Sequence, residues 1–338
     1  MRALVTGPGG FLGRYIVEQL LTRGDRVRGL ARGHYPELQA MGVEMVTGDI
    51  RDVDLVFPAC KGIDCVFHTA AMAGIWGPRT EFYRANVGYT EDLLQACSLH
   101  GVRRFVFTSS PSVTFDGADQ CGVDEWVLFP KTWLADYPRT KALAERDVLD
   151  ANGTNGIRTC ALRPHLIWGP RDSHLVPRLI ERARAGQLRR VGDGTNLIDI
   201  TYVENAAEAH LLAADALDDD VHASKASPVA GRAYFISQGE PVNCWQWIDQ
   251  ILALVDLPPV RKSVSARTAY AAGAVLEGVY RVLGRTEEPR MTRFLARQLA
   301  TSHWFDISAA KRDFGYQPRV SIADGMERLG TWLREQGK

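Results

Sequence analysis

The first thirteen residues contain the feature that most restricts the fold of this chain, because an apolar pentad is followed at once by three spaced glycines. In MRALVTGPGGFLG these are Gly7, Gly10 and Gly13, and a helical pattern begins directly after them. A strand, a glycine-rich turn and a helix N-terminus together form an anion site from backbone N–H groups and the helix dipole. Gly7 would permit the tight turn, Gly10 the close approach of a pyrophosphate, and Gly13 close packing of helix on strand. A glycine-rich connection without a ligand is the alternative, but the strand before it and the helix after it favour binding.

The first half of the chain alternates short apolar runs with helical patterns, which is typical of βαβ units and a parallel sheet. Six strands are predicted, at residues 2–6, 26–31, 43–48, 64–69, 104–109 and 158–163, and helices at 11–23, 80–100 and 136–150. In the second half the patterns predict a helix in VENAAEAHLLAADAL, an exposed loop in DDDVHASKASPVAG, a strand at 233–237 and a helix at 243–254.

This alternation predicts an α/β protein with a doubly wound, Rossmann-type parallel sheet and a smaller, discontinuous C-terminal substrate lobe. We place the dinucleotide-binding domain at residues 1–165 and the substrate lobe mainly at 166–338, with some segments returning to the first domain. A chain of 338 residues is long enough for two such units.

Charge and cysteine usage exclude several other classes of protein. Lys plus Arg equals Asp plus Glu, at forty each, which gives no indication of a nucleic-acid partner. Six cysteines are scattered without a CxxC pair, so neither a metal site nor a disulfide framework is predicted. Because the first predicted strand starts at Arg2, no signal peptide fits before it, and we predict a cytoplasmic protein.

One segment, AYAAGAVLEGVYRVLG at residues 269–284, is apolar enough to raise the question of a membrane. It is too short to span a bilayer, and Glu277 and Arg281 interrupt it. We favour an amphipathic helix that covers a core or a substrate cavity. The alternative is a peripheral contact with the inner face of the membrane, where such a helix would collect a lipid substrate.

The end of the second predicted strand bears on the choice of nicotinamide cofactor. An acidic residue there would bond the ribose 2′-hydroxyl of NAD(H), but the sequence reads GLAR, with Ala31 in that position and Arg32 next. The forked donors of a guanidinium match phosphate oxygens. We therefore predict NADP(H), with NAD(H) as the alternative if Arg32 is only a solvated surface residue.

The stretch DYPRTKALAE places Tyr137 and Lys141 one turn apart on one face of a helix. A lysine ammonium beside a phenol should draw the pKa of that phenol down from about 10 toward neutral pH. The fifth predicted strand runs into TSS, where Ser110 could donate a hydrogen bond to the same substrate oxygen that the tyrosine protonates. Ser109 and Ser112 are its rivals for this role, because the serines cluster here.

Together these motifs resemble the extended short-chain dehydrogenases/reductases over nearly the whole chain. The matching segments are TGPGGFLG, GDIRD, HTAA, RANVGYT, TSSPSV, YPRTK and LRPHLIWGP. The resemblance implies that Ser110, Tyr137 and Lys141 are catalytic and that Asn86 supports the active-site helix. It implies the following cofactor-binding residues: Gly7, Gly10, Phe11, Leu12, Gly13, Arg32, Asp49, Ile50, Ala70, Ala71, Tyr137, Lys141 and Pro164. Relatives pair through a four-helix interface, so a homodimer would use the helices at 80–100 and 136–150.

Within this family the chain is most similar to the 3β-hydroxysteroid dehydrogenase branch, and there to 2-alkyl-3-oxoalkanoate reductases and decarboxylating sterol-4α-carboxylate 3-dehydrogenases. The segments LRPHLIWGPRDSHLVPRLIERARAG, GDGTNLIDITYVENAAEAH and AKRDFGYQP carry this resemblance. It implies an NADP(H)-dependent oxidoreductase that exchanges hydride at the 3-position of an α-branched 3-oxo or 3-hydroxy carboxylic acid lipid. A decarboxylating sterol dehydrogenase, or 3β-hydroxysteroid dehydrogenase, is the second candidate. A sugar-nucleotide epimerase or dehydratase and a cofactor-sensing protein without enzymatic activity rank below both.

A carboxylate substrate requires a cation or hydrogen-bond donors near the reacting carbon. The candidates are, in chain order, Arg79, His165, Arg171 and His174. For each of them the alternative, which we favour for any single residue, is a solvated surface position or a hydrogen-bonded loop. Arg163 is expected to be structural instead. Trp76 and Trp168 each belong to a WGP tripeptide after a strand, where they would form an aromatic wall for a lipid chain or pack in the core.

Overall fold

The computed structural model describes residues 1–218 and 227–337, and within these ranges strands and helices alternate through the first half of the chain. The strands are β1 (Arg2–Thr6), β2 (Arg26–Ala31), β3 (Glu44–Thr47), β4 (Cys65–His68), β5 (Arg104–Thr108), β6 (Gln120–Val123), β7 (Arg158–Pro164), β8 (Ile167–Trp168), β9 (Arg190–Val191), β10 (Leu197–Ile198), β11 (Thr201–Tyr202), β12 (Arg232–Ile236), β13 (Val242–Asn243), β14 (Ser263–Val264) and β15 (His303–Phe305).

The helices cover both faces of the main sheet and build most of the C-terminal half. They are α1 (Phe11–Thr22), α2 (Pro36–Ala40), α3 (Val53–Ala59), α4 (Arg79–Tyr83), α5 (Tyr89–His100), α6 (Asp136–Asp150), α7 (Leu175–Arg184), α8 (Val203–Ala216), α9 (Cys244–Ala253), α10 (Ala266–Val282), α11 (Arg293–Ala300), α12 (Ser308–Phe314) and α13 (Ile322–Glu335).

Seven parallel strands form the main sheet, in the order β12-β7-β5-β4-β1-β2-β3. Its central strands are apolar and buried on both faces, as a sheet covered by helices on each side requires. The predicted Rossmann-type fold is therefore confirmed. The strand order reverses between β1 and β4, and ligands of such sheets bind at the carboxyl ends of the strands beside that point.

One predicted helix differs from the structure, and one predicted strand of the second half joins the main sheet. The helix predicted at 80–100 is interrupted by a π-helical turn at Arg84–Gly88, which separates α4 from α5. The strand predicted at 233–237 is β12, which leaves the C-terminal half to pair with β7 at the edge of the main sheet. Of the exposed loop predicted in DDDVHASKASPVAG, residues 219–226 lie outside the described residues.

A second core lies in the C-terminal half, where Trp168, Tyr202, Trp245 and Trp247 pack with aliphatic side chains from α7, α9 and α13. A four-stranded sheet, β13-β10-β15-β6, links this half to the segment after β5. The apolar segment at 269–284 falls in α10 and its C-terminal end, and no helix of the described residues is long and apolar enough to cross a membrane.

Candidate active site

The turn between β1 and α1 is built as an anion cradle. Gly7 has a φ of +71°, and the N–H of Gly10 donates to the Gly7 carbonyl oxygen at 2.9 Å. A Cβ on Gly13 would lie 2.2 Å from that oxygen, so no larger residue fits there. No side chain caps α1, whose first-turn N–H groups, starting at Phe11 and Leu12, have no intrahelical acceptor. The cradle therefore fits the pyrophosphate of a dinucleotide.

The HTAA segment after β4 runs beside this cradle. The N–H of Ala70 donates to the Thr6 hydroxyl at 3.2 Å, and a Cβ on Gly7 would lie 3.3 Å from the Ala70 Cα. Ala71 is exposed next to it, whereas Pro164 is buried at the end of β7. The structure thus brings the glycine turn and the HTAA segment together along one edge of the sheet.

The carboxyl ends of β2 and β3 carry the residues predicted to bind the adenosine half of the cofactor. Arg32 is exposed there, and Ile50 is half-buried. The Arg51 guanidinium donates to the Asp49 carboxylate at 2.6 Å and lowers the pKa of that carboxyl to about 2, an effect that the charge of Arg32 reinforces. An acidic residue and two cations therefore meet at this end of the groove.

Tyr35, which the sequence did not indicate as part of the site, lies over the glycine turn. A Cβ on Gly9 would lie 2.1 Å from Cζ of this ring, and one on Gly33 would lie 2.9 Å from it. The only sequence signal is the pair of glycines that make room for the ring, and it cannot be read without knowing that positions 9 and 33 are neighbours.

Tyr137 and Ser110 line one cavity of about 250 Å³ at the carboxyl end of β5. Burial raises the pKa of the Tyr137 hydroxyl to about 12, and a hydrogen bond with Ser110 acts in the opposite direction. The sequence led us to expect a lowered pKa for this tyrosine, and that expectation was wrong for this structure. Helical spacing predicts that a lysine is near, but it does not report how strongly the surroundings exclude water from the phenol.

Lys141 lies one turn further along α6 and is only 2% exposed. Burial lowers the pKa of its ammonium to about 7, and the charge of Glu145 partly opposes that shift. The Lys141 Nζ lies 3.9 Å from the centroid of the Phe107 ring, and no carboxylate of the described residues pairs with it. Such a buried ammonium fits a ligand with hydroxyl groups, as the ribose of a dinucleotide has.

The three clustered serines have different environments. The Ser109 hydroxyl points away from the cavity and donates to the Glu145 carboxylate at 2.5 Å, which in turn pairs with the buried Arg163 guanidinium. Ser112 lines the cavity and lies 2.9 Å from Ser110, measured between their hydroxyl oxygens. Ser110 is therefore the serine beside Tyr137, and Arg163 has the structural role expected of it.

Asn86 lies in the π-helical turn, buried between the loop after β4 and helix α6. Its Oδ1 accepts from the N–H of Met72 at 2.8 Å, and its Nδ2 donates to the Thr140 hydroxyl at 3.0 Å. Thr140 lies next to Lys141 on α6. The side chain thus connects the cofactor edge of the sheet to the helix that carries Tyr137 and Lys141, which agrees with a supporting role.

Of the residues predicted to contact substrate, His165 lines the cavity of Tyr137 and Ser110, and Trp76 lines an adjoining cavity of about 610 Å³. The two cavities share Ile75. Trp76 donates from Nε1 to the Arg285 carbonyl at 3.0 Å, and Arg79 lines the same outer cavity with 65% of its side chain exposed. The loop after β4 therefore lines two neighbouring cavities, an inner one with Tyr137 and an outer one with Trp76.

The structure does not bring the other candidates to this site. Trp168 is fully buried in the second core against Tyr202, so it packs rather than lining a substrate channel. The Arg171 guanidinium forms two hydrogen bonds with Glu18 of α1, at 2.6 and 2.7 Å, and is committed to that contact. His174 is exposed just before α7.

Comparison with known proteins gives one consistent result. Residues 4–263 match the model of the 3-beta hydroxysteroid dehydrogenase/isomerase family. The chain is 48% identical to the 2-alkyl-3-oxoalkanoate reductases of Shewanella oneidensis and Stenotrophomonas maltophilia, covering 98% and 97% of this chain and 86% and 98% of theirs. It is 35% identical to the human decarboxylating sterol-4-alpha-carboxylate 3-dehydrogenase, over 97% of this chain and 87% of that protein.

Among solved structures, MoeE5 in complex with UDP-glucose and NAD superposes with a TM-score of 0.73 at 27% identity, over the full length of both chains. Its likeness extends through the main sheet and the C-terminal half alike. With the family model covering most of the sequence and relatives matching it almost end to end, the chain belongs to the 3-beta hydroxysteroid dehydrogenase/isomerase family and is an NAD(P)-dependent oxidoreductase that interconverts CH–OH and C=O groups.

Proposed function

We propose that this protein is an NADP(H)-dependent reductase of 2-alkyl-3-oxoalkanoates, which are 3-oxo carboxylic acid lipids branched at the α carbon. The observation that carries the proposal is the cavity of Tyr137 and Ser110. Much of its wall is apolar, as a lipid substrate requires, and Ile75 lines both this cavity and the outer one. The two relatives at 48% identity are named for this activity, and the match covers 86% and 98% of their lengths.

A bound reduced nicotinamide would supply the hydride that the reduction of the 3-oxo carbon needs. The Ser110 hydroxyl donates a hydrogen bond to the substrate oxygen and so stabilises the negative charge that develops there. The Tyr137 hydroxyl delivers its proton to the same oxygen. Lys141 would hold the nicotinamide ribose, and Asn86 fixes α6, the helix that carries Tyr137 and Lys141, through its bond to Thr140. The glycine cradle holds the pyrophosphate.

NADP(H) is the proposed cofactor because Arg32 is exposed at the end of β2, where no carboxylate is available for a ribose 2′-hydroxyl. The forked guanidinium would pair with the 2′-phosphate. Asp49 lies near it but is held by Arg51, so its carboxylate does not take the place of the missing acid.

A decarboxylating oxidation of a 4-carboxysterol is the second candidate, and the sterol dehydrogenases at 35% identity favour it specifically. Both substrates have a carboxylate one carbon away from the reacting centre, so the same residues would serve in reverse. A sugar-nucleotide substrate ranks lower, because the relatives at 48% and 35% identity are named for oxoalkanoate and sterol substrates.

The proposed partners extend to a second copy of the chain and to a membrane surface. A homodimer would pair α5 and α6 with their counterparts. Peripheral contact through 269–284 would use the exposed Val275, Val279 and Val282 of α10. The cytoplasmic location, at or near the inner membrane face, stays a prediction.

The test mixes purified protein with a 2-alkyl-3-oxoacid and measures the loss of reduced-nicotinamide absorbance, once with NADPH and once with NADH. Substrate-dependent loss that is faster with NADPH supports the proposal. Tyr137→Phe should lower turnover about 10²- to 10⁴-fold while NADPH binding is retained, and Tyr83→Phe, at an exposed position on α4, should change neither. No turnover of the oxoacid, with reduction of NAD(P)⁺ by a 4-carboxysterol, would transfer the assignment to the sterol dehydrogenase.

A further inference from the structure

Two histidines from distant parts of the sequence meet in the wall of the inner cavity. His165 directly follows β7, and His303 is the first residue of β15. Their rings pack edge to face, with centroids 4.8 Å apart, and their residues are 7% and 3% exposed. Both line the same cavity as Tyr137 and Ser110.

The hydrogen-bond partners of these rings are incomplete. Nε2 of His303 lies 2.8 Å from the Gln298 carbonyl oxygen, so this nitrogen carries the proton and donates it. Nδ1 of His303 and Nδ1 of His165 have no partner among the described residues. A buried polar nitrogen without a partner is unfavourable and is rare in folded proteins, which points to a group that the pair receives from outside.

The charges around the pair define what that group can be. No lysine, arginine, aspartate or glutamate of the described residues lines this cavity. Burial lowers the pKa of both imidazoles, and each is therefore neutral at neutral pH in this structure. An anion that enters would find no fixed counter-charge, but imidazoles can take up a proton when a carboxylate arrives and then donate to it.

Two acidic residues and the catalytic tyrosine are the titratable groups near the pair. The backbone of Asp199 acts to raise the pKa of the His165 imidazole, against the larger effect of burial, while the Asp199 carboxylate accepts from the N–H of Phe305 at 2.8 Å. Burial raises the pKa of that carboxyl to about 6. The negative charge of Asp119 acts to raise the pKa of the His303 imidazole, against the larger effect of burial.

We propose that His165 and His303 together form the site that binds the carboxylate of the substrate, as a neutral pair that becomes cationic when the carboxylate enters. The inference rests on the proposed function, because it requires a substrate with a carboxylate next to the reacting carbon. In a 3-oxo acid one carbon separates the carboxyl from the 3-oxo group. If the 3-oxo oxygen of the substrate binds at Ser110 and Tyr137, the carboxylate must therefore lie in the same small cavity. The two histidines are part of the polar wall of that cavity.

The experiment compares two substrates that differ only in charge. A 2-alkyl-3-hydroxyalkanoate and its primary amide are oxidised with NADP⁺, and kcat/KM is measured for each. The variants are His165→Gln and His303→Gln, because a glutamine amide can take the place of Nε2 while it removes Nδ1. His174→Gln is the matched control, at an exposed histidine outside the cavity. NADPH binding is measured first for every variant, to establish that the fold is intact.

We expect each cavity variant to lower the ratio of acid to amide kcat/KM at least tenfold, and the control to leave that ratio unchanged. Equal losses on acid and amide would overturn the carboxylate role, because they would indicate a structural effect. If the wild-type protein oxidises the amide and not the acid, the inference fails as well. If it oxidises neither and also fails to reduce the 2-alkyl-3-oxoacid with NADPH, the proposed function itself is wrong.

A second measurement tests the proton directly. The hydroxy acid is titrated into protein saturated with NADPH, where no turnover occurs, by calorimetry in two buffers with different ionisation enthalpies. We expect uptake of up to about one proton per acid bound near pH 7.5, since a bound carboxylate raises the pKa of the pair, and none for the amide. His303→Gln should reduce that uptake. Binding of the acid without proton uptake would refute the proposal that the histidine pair becomes cationic when the carboxylate enters.

Discussion

The substitution Glu145→Gln tests the support beneath the active site, because this carboxylate connects three neighbours. Glu145 is fully buried on α6, one turn after Lys141. It accepts from the Ser109 hydroxyl at 2.5 Å and from the Arg163 guanidinium at 2.5 Å. Its negative charge also opposes the fall in the pKa of the Lys141 ammonium.

The expected loss of stability follows from these contacts. Removing the charge leaves the Arg163 guanidinium buried without a counter-ion, and breaking a buried pair in this way costs about 3–5 kcal/mol. Folded proteins are stable by only about 5–15 kcal/mol, so the variant should unfold at clearly lower denaturant concentration. The matched control is the double variant Glu145→Leu with Arg163→Met, which removes both charges and should be less destabilised than the single one.

The same substitution should alter the pH dependence of turnover. Because the pKa of Lys141 is already lowered to about 7, its charged form is lost as pH rises through that value. Without the charge of Glu145 this pKa falls further, so the alkaline limb of the kcat/KM profile should move to lower pH. Denaturant unfolding and pH-rate profiles are measured on the same preparations. A single variant as stable as wild type, or a double variant no more stable than the single one, would refute the assignment of the buried pair.

Two further predictions concern the cofactor groove. Gly13→Ala should abolish cofactor binding or folding, because its Cβ would lie 2.2 Å from the Gly7 carbonyl oxygen, as measured by NADPH fluorescence titration and thermal unfolding. Gly278→Ala is the control: its Cβ has open space on helix α10, so it should stabilise the protein by about 0.5–1 kcal/mol. Arg32→Ala should raise KM for NADPH at least tenfold and leave KM for NADH within about twofold, if the guanidinium contacts the 2′-phosphate. An equal effect on both cofactors would favour a surface role for Arg32.

Features of this site that depend on neighbours in the sequence could be predicted, and those that depend on distant contacts could not. The glycine turn, the TSS segment and the spacing of Tyr137 and Lys141 are local patterns, and the structure places Ser110 and Tyr137 in one cavity. His303 joins His165 across 138 positions, and Glu18 engages Arg171 across 153. No periodicity or spacing reports such pairs, because tertiary packing alone decides them. Trp168 illustrates the same limit, since its tripeptide is identical to that of Trp76 but its surroundings are a closed core.

The pKa of Tyr137 shows why proximity alone does not define chemistry. Tyr137 and Lys141 lie one turn apart on α6, as their spacing requires, yet burial raises the pKa of the phenol and lowers that of the ammonium whose charge was expected to activate it. A phenol whose pKa is raised to about 12 is protonated at neutral pH. That is the state required to give a proton to a developing alkoxide, whereas oxidation of an alcohol begins from the phenolate. At neutral pH the tyrosine of this structure is therefore in the protonated state from which the proposed reduction starts.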